Sequence, residues 1–317
     1  MKKCLINCWY GKFPNYFELW IRSCEFNKDY DFFVITDQEY TSKINNVKII
    51  NIPFEKLNDI INKKLNVNIK IEKPYKLCDF KPTYGIIFND LIKEYDFWGH
   101  CDIDQIFGRI NDFIKEEDLL QCEMINKLGH FCLYKNTKKI NELFMAEGAK
   151  FSYKEVLNNN ENYAFDEYSG MNLIIKKNNI KIKCIKQYAD IYIRFKRYKM
   201  SGFDNYENQA FVWENGKLFR IYEHNGSLNR DELMYLHFQK KKPNIRVKNL
   251  LYNRLIIGSN YFDELENEIS INDIINCNPY KGKIYEKFES AKYIYMKLLQ
   301  FFKSSLKQKR IWIKQKR

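Results

Sequence analysis

Two aspartates that follow a predicted buried strand are the residues best suited to chemistry. Residues 96–101 form a largely apolar run, and Asp102 and Asp104 come directly after it. Side chains two positions apart in an extended chain point to the same side. Carboxylate oxygens are ligands that Mg²⁺ and Mn²⁺ prefer, and such an ion binds diphosphates. The pair therefore predicts a divalent-cation site, although two solvated aspartates in a turn would have the same spacing.

A histidine and two lysines near the end of a strand predicted over residues 233–238 could complete that site. His237 can offer a neutral ring nitrogen to a metal, and Lys240 and Lys242 can neutralise phosphate oxygens as point charges. The alternative is a buried structural histidine followed by solvated lysines. A distant acidic pair that needs a third ligand favours the metal site.

Neighbouring carboxylates at Asp166 and Glu167 precede another predicted helix. Either could accept the proton of an attacking hydroxyl group as a general base. The alternative is a structural role in which Asp166 caps the helix.

Polar and aromatic residues also follow the first two predicted strands. Trp9, Tyr10 and Asp37 lie where an α/β sheet flanks the base and ribose of a nucleotide. The chain contains neither G-x-G-x-x-G nor G-x-x-x-x-G-K-[ST], which excludes a classical dinucleotide site and a P-loop.

The elements that must position these residues alternate between strands and helices. Apolar runs predict strands over residues 4–9, 31–37, 47–52, 96–101 and 129–134. Helical spacing predicts helices over residues 14–27, 54–65, 76–94 with a break at Pro82, 110–120 and 138–149. This alternation predicts an α/β fold with a doubly wound, mostly parallel sheet flanked by helices. Beyond residue 180 the pattern changes, and Asn215-Gly216 predicts a hairpin turn.

Composition narrows the class of protein. The chain has 317 residues, of which 45% are hydrophobic, so it can bury a large core. No apolar run reaches the roughly 18 residues that span a bilayer. The nine cysteines are odd in number and form no C-x-x-C pair, which predicts free thiols in a reducing cytosol.

The net charge of +13 is concentrated at the end of the chain. Residues 290–317 contain nine basic residues and no acidic one, which leaves 44 basic against 40 acidic residues elsewhere. Nucleic-acid binding by the whole protein is therefore not expected. Residues 290–317 predict a basic amphipathic helix, with Tyr295, Leu299, Phe302, Leu306 and Ile313 near one face. Such a helix would either bind an anionic membrane surface or pack on the body.

Taken together, these features resemble a GT-A glycosyltransferase, and most closely the glycosyltransferase-like proteins of bacterial capsule and surface-polysaccharide loci. The resemblance covers roughly residues 1–243 and is most specific in the strand that leads into Asp102 and Asp104. Further matching residues are the first strand, Thr36-Asp37, residues 76–82, Phe107-Gly108 and residues 129–131.

The resemblance implies a Rossmann-like transferase domain over residues 1–247 and a C-terminal helical appendage over residues 248–317. It also implies that Asp102, Asp104 and His237 bind Mn²⁺ or Mg²⁺, and that Asp79 and Lys81 contact the donor together with Asp102. The expected donor is a nucleotide-diphosphate sugar, with UDP favoured over GDP.

The predicted function is metal-dependent hexosyl transfer to a saccharide or lipid-linked acceptor in surface glycan synthesis. The expected location is the cytoplasm, at the inner face of the membrane if the terminal helix binds lipid. If the anomeric centre is inverted, Asp166 or Glu167 is the predicted base, whereas retention requires no such base. One alternative function is nucleotidyl transfer, and another is a non-enzymatic module that binds a polyanion or nucleic acid.

Overall fold

A computed structural model describes residues 1–193, 195–239, 241–247, 252–259, 261–278, 286–296 and 298–299. The strands are β1 (Lys3–Trp9), β2 (Tyr30–Thr36), β3 (Val47–Asn51), β4 (Phe97–Cys101), β5 (Gln105–Phe107), β6 (Met124–Leu128), β7 (Phe131–Lys135), β8 (Ile182–Lys183), β9 (Ala189–Asp190), β10 (Gln209–Glu214), β11 (Lys217–His224), β12 (Ser227–Leu233), β13 (Tyr235–His237), β14 (Asn244–Ile245), β15 (Arg254–Ile257) and β16 (Tyr261–Glu264).

The α-helices are mostly short and lie between the strands. They are α1 (Phe17–Glu25), α2 (Phe54–Leu65), α3 (Tyr84–Ile87), α4 (Asn89–Ile92), α5 (Glu116–Gln121), α6 (Lys138–Asn141), α7 (Tyr153–Leu157), α8 (Met171–Lys177) and α9 (Ile271–Asn276). Three 3₁₀ helices cover Pro74–Thr83, Ile110–Asp112 and Leu143–Met145, and residues 286–296 are helical as well.

A seven-stranded sheet forms the centre of the first half of the chain. Its strand order is β3-β2-β1-β4-β7-β6-β8, and the first four strands are parallel neighbours. Strand β7 runs antiparallel to both β4 and β6. The α/β fold and the parallel arrangement of the first strands were therefore predicted correctly from the alternation of strands and helices.

Both faces of this sheet are buried, which explains why its strands are apolar on successive residues. In β1, Leu5 belongs to one hydrophobic cluster, whereas Cys4 and Ile6 belong to another. Helix α1 packs on the first face and α2 on the second. A strand covered on both sides gains from apolar side chains at every position.

The second half of the chain adds two smaller sheets. One has the order β12-β11-β10-β15-β16-β14, and the other the order β5-β13-β9. Asn215 and Gly216 both have positive φ, of 48° and 83°, and join β10 to β11 as the predicted turn.

Two predictions about these elements were wrong. The predicted boundary at residue 247 divides the six-stranded sheet, because β15 pairs with β10. The β-branched and aromatic runs of β15 and β16 favour strands, so residues 254–257 and 261–264 are not part of a helical appendage. The helix predicted over residues 76–94 is instead a 3₁₀ helix followed by α3 and α4.

The predicted terminal helix is described only in part. Residues 286–296 and 298–299 are helical. Leu306 and Ile313 lie outside the described residues. Within the described part of the chain, no helix has both the length and the apolar character needed to cross a membrane.

Gly99 provides a test of the packing at the centre of the sheet. A Cβ at this position of β4 would lie 2.1 Å from the carbonyl oxygen of Cys132 in β7. We expect Gly99→Ala to lower the free energy of unfolding by about 3 kcal/mol, since neither backbone can retreat from the contact. Guanidinium denaturation measures this loss.

Gly226→Ala is the matched control, because a Cβ there meets nothing within 4 Å. Its positive φ of 75° alone should cost about 1–2 kcal/mol. Equal losses in the two variants would contradict the proposed clash at Gly99.

Candidate functional site

A pocket of about 250 Å³ lies at the carboxyl ends of β1 and β4. The strand order reverses between these two neighbours, and such a reversal is where open α/β sheets bind ligands. Trp9 and Tyr10 line the pocket from β1 and the loop after it, and Asp102 and Asp104 line it from the segment after β4. The structure therefore brings together residues from both predicted strand ends.

The three predicted metal ligands are close together at this pocket. The Nε2 atom of His237 lies 3.4 Å from Asp104 Oδ1 and 4.0 Å from Asp102 Oδ2. One ligand atom from each residue fits within a group whose members are at most 4.8 Å apart. Two carboxylates and one imidazole suit Mn²⁺ or Mg²⁺ by the chemistry of their donor atoms.

The three-stranded sheet sets the position of His237. In β13, His237 pairs with Gln105 of β5 on one side and with Asp190 of β9 on the other. Its Nδ1 atom lies 2.8 Å from Asp190 Oδ1. Because a carboxylate only accepts, Nδ1 must carry the proton and Nε2 faces the aspartates. A carboxylate that orients a histidine in this way is the usual second partner of a metal-binding imidazole.

The charge of His237 responds to these neighbours. Burial lowers its pKa, but the carboxylates of Asp104, Asp190 and Asp102 outweigh burial and raise the pKa to about 10. Without a bound cation, the imidazolium ion therefore balances part of the negative charge. A metal ion that binds Nε2 must displace this proton.

His130 forms a second group with Asp190 and His237 that could also hold a metal. Its ring stacks on that of His237 at 4.4 Å, and its Nδ1 atom is 3.1 Å from the hydroxyl of Tyr235. Asp190 Oδ1 already accepts hydrogen bonds from His237 and Gln239. The group of Asp102, Asp104 and His237 is therefore better suited to a cation, because its two carboxylates line the pocket.

Lys81 connects the aspartates to the turn between β6 and β7. Its Nζ atom donates to Asp102 Oδ1 at 2.5 Å and to the carbonyl oxygen of Gly129 at 2.6 Å. Burial lowers the pKa of Lys81, and the carboxylate of Asp102 raises it by more, so the net pKa is above its usual value. Lys81 is thus a fixed positive charge beside the pocket.

Asp166 and Glu167 pack against the same turn. A Cβ on Gly129 would lie 2.6 Å from Asp166 Oδ2, so glycine at this position lets Asp166 come close. The backbone N–H of Gly129 donates to Glu167 Oε1 at 2.7 Å. Burial raises the pKa of Asp166 to about 7, although the charge of Lys81 opposes the rise. Of the two predicted bases, Asp166 is therefore the one suited to proton exchange at neutral pH.

Asp79 has a structural position instead of the predicted contact with a donor. It is completely buried, and Lys76 Nζ donates to its Oδ2 atom at 2.9 Å. The backbone N–H groups of Tyr163 and Phe165 also donate to its carboxylate. With its oxygens used in this way, Asp79 fixes the segment that leads into Asp166.

The remaining predicted residues are exposed or lie outside the described part. Asp37 is exposed, and its Oδ1 atom accepts from the N–H of Gly11 at 3.4 Å. Lys242 is exposed as well. Lys240 lies outside the described residues.

Three residues of the site were missed by the sequence predictions. Asp190 and Gln105 flank His237, as described above, and Gln105 Oε1 also accepts from the N–H of Asp102 at 3.2 Å. Asn7 lines the pocket and donates to the carbonyl oxygen of Cys101 at 2.6 Å. Its buried Oδ1 atom has no hydrogen-bond partner among the described residues, so it can accept from a ligand. Asp190 carried no sequence signal because its role depends on strand pairing.

The position of Asp190 leads to a prediction about metal affinity. We expect Asp190→Asn to weaken Mn²⁺ binding by about tenfold or more, because the imidazole loses its orienting charge. Asp104→Asn, which removes a ligand, should weaken it further. Titration of Mn²⁺ followed by electron paramagnetic resonance measures both. Asp37→Asn is the control, and wild-type affinity in Asp190→Asn would contradict the orienting role.

The pKa of Asp166 leads to a prediction about stability. This pKa is raised from 3.8 to about 7. Between these pH values the folded protein keeps the proton of Asp166, whereas the unfolded chain has released it. The wild type therefore loses stability over that window, and Asp166→Asn does not. We expect the free energy of unfolding of Asp166→Asn, relative to that of the wild type, to increase by on the order of 2 kcal/mol between about pH 5 and about pH 8.

Denaturant unfolding at the two pH values measures this difference. Asp37→Asn corrects for the loss of one exposed carboxylate. A difference between Asp166→Asn and the wild type that does not change with pH would contradict the raised pKa.

Comparison with known proteins gives a family but no activity. A family model described as "Family of unknown function (DUF6625)" matches residues 5–266. A search of curated proteins finds no significant match. The matched region contains the aspartate pair, Asp166, Asp190 and His237 together with all strands described above, except the first two residues of β1. Because the match covers most of its length, the chain belongs to the DUF6625 family.

Proposed function

We propose that this protein is a metal-dependent glycosyltransferase of the GT-A type that uses a nucleotide-diphosphate sugar. The observation that carries the proposal is the group formed by Asp102, Asp104 and His237, whose two aspartates line the pocket. An oxygen-rich cation site beside a pocket at the strand reversal suits a diphosphate bound through a divalent ion.

The sheet supports this proposal in a second way. Four parallel strands in the order β3-β2-β1-β4 have the arrangement that suits a nucleotide at their carboxyl ends, and β7 follows in the antiparallel direction. The aspartates leave β4 at the edge where β1 presents Trp9 and Tyr10. A base and ribose in the pocket would thus lie next to a diphosphate at the aspartates.

Charge at the diphosphate is the main requirement of the reaction, because the leaving group gains negative charge as the sugar departs. A divalent cation held by Asp102, Asp104 and His237 would supply positive charge at that leaving group. Lys81 keeps Asp102 in place and adds a second positive charge that does not titrate at neutral pH.

The acceptor side requires a group that takes the hydroxyl proton. Asp166 is buried against Gly129, close to the charge of Lys81, and its pKa of about 7 allows it to accept a proton at neutral pH. Tyr168 is strongly exposed near Glu167 and offers an aromatic surface for a saccharide. A base in this position implies direct displacement with inversion at the anomeric carbon.

Nucleotide binding and turnover test the proposal separately. We expect UDP to raise the melting temperature of the wild type with Mn²⁺ but not with a chelator, and Asp104→Asn to lose this shift. Asp166→Asn should keep the shift, while its hydrolysis of UDP-sugars falls by about a hundredfold or more. Thermal denaturation and release of UDP measure the two effects.

Two outcomes would count against the proposal. If no nucleoside diphosphate binds in a metal-dependent way, the donor site is wrong. If nuclear magnetic resonance shows that the released sugar retains its anomeric configuration, the base role of Asp166 is wrong while the donor site stands.

A further inference from the structure

We propose that the helical residues 286–296 and 298–299 bind the surface of an anionic lipid bilayer through an apolar face that points away from the protein. This face, called the outward face below, consists of Phe288, Ile294, Tyr295 and Leu298. The inference concerns a surface distant in sequence from the site and does not depend on the proposed reaction.

The opposite side of this helix is fastened to the body. Glu286 accepts from Arg197 Nη2 at 2.5 Å and from Lys199 Nζ at 2.6 Å. Glu289 accepts from the backbone N–H of Lys196 at 3.1 Å. Glu286, Glu289 and Tyr293 follow one another at intervals of three and four residues, so they share one side of the helix. Packing on the body therefore uses this side.

The outward face is left to solvent. At least half of each of its four side chains is exposed. With 3.6 residues per turn, the four positions fall within an arc of about 120° around the helix axis, so they form one stripe. Ile193 is also more than half exposed, and it lines a shallow pocket with Tyr293 and Met296 on the side of the helix that faces the body. A stripe of this size on a surface helix marks an interaction site.

The basic residues near the outward face favour an anionic surface as its binding partner. Glu286 and Glu289 are the only acidic residues after Asp273, and both are held by the body. From residue 290 onward the chain has nine basic residues and no acidic one. Lys287 and Lys292 are exposed on the described part of the helix. An apolar stripe flanked by lysines matches anionic headgroups above a hydrocarbon layer, since lysine stems can lie on the apolar surface while their amines reach phosphate.

Sedimentation of the full chain with lipid vesicles tests this inference. We expect binding to vesicles of phosphatidylcholine and phosphatidylglycerol at roughly 2:1, little binding to phosphatidylcholine alone, and weaker binding as salt rises. The triple variant Phe288→Ser, Ile294→Ser, Leu298→Ser should lose at least about tenfold in affinity.

The matched control changes three exposed apolar residues elsewhere, with Leu120→Ser, Leu228→Ser and Tyr252→Ser. It should bind vesicles like the wild type, and melting temperatures should show that both variants are folded. Unchanged binding in the outward-face variant would overturn the proposal, as would equal binding to neutral vesicles. A dimer in solution that only this variant disrupts would show that a second copy covers the face, which would also overturn it.

Discussion

Asp102, Asp104 and Asp190 place three carboxylates around the ring of His237, and these like charges repel one another unless positive charge lies among them. His237 supplies one positive charge while it is protonated, and Lys81 supplies another at Asp102. The fold holds this arrangement because the two aspartates lie between β4 and β5, whereas Asp190, His237 and Lys81 lie in β9, in β13 and in the 3₁₀ helix Pro74–Thr83. Because the carboxylates concentrate negative charge here, a divalent cation that replaces the proton of His237 would reduce their mutual repulsion.

Much of the site could be predicted where its signal is local in the sequence. Asp102 and Asp104 follow an apolar strand, and parallel strands place such residues at one edge of a sheet. The role of Asp190 could not be predicted, because it depends on the pairing of the two-residue strand β9 with β13. Asp190 and His237 are 47 positions apart in the sequence. The strands β15 and β16 were missed although their residues favour strands, because their place in the sheet depends on the pairing of β15 with β10 and of β16 with β15.

The geometry of the 3₁₀ helix Pro74–Thr83 explains why Lys76 contacts Asp79 in the core, whereas Lys81 contacts Asp102 at the pocket. Residues three apart lie directly above one another in a 3₁₀ helix, so Lys76 and Asp79 both face the core. Lys81 lies on another side and reaches Asp102 at the pocket. The resemblance implied contact with a donor for both Asp79 and Lys81, but of these two side chains only Lys81 lines the pocket.

The buried pair of Lys76 and Asp79 also bears on the proton chemistry. Asp79 holds the backbone at Tyr163 and Phe165, and this brings Asp166 to Gly129 without using its carboxylate. Asp166 is then left between opposing influences, because burial, Glu167 and Asp102 raise its pKa while Lys81 lowers it. Had Asp166 been paired directly with a lysine, its pKa would be low and its affinity for a proton weak. The structural pair therefore positions a carboxylate that stays able to exchange a proton near neutral pH.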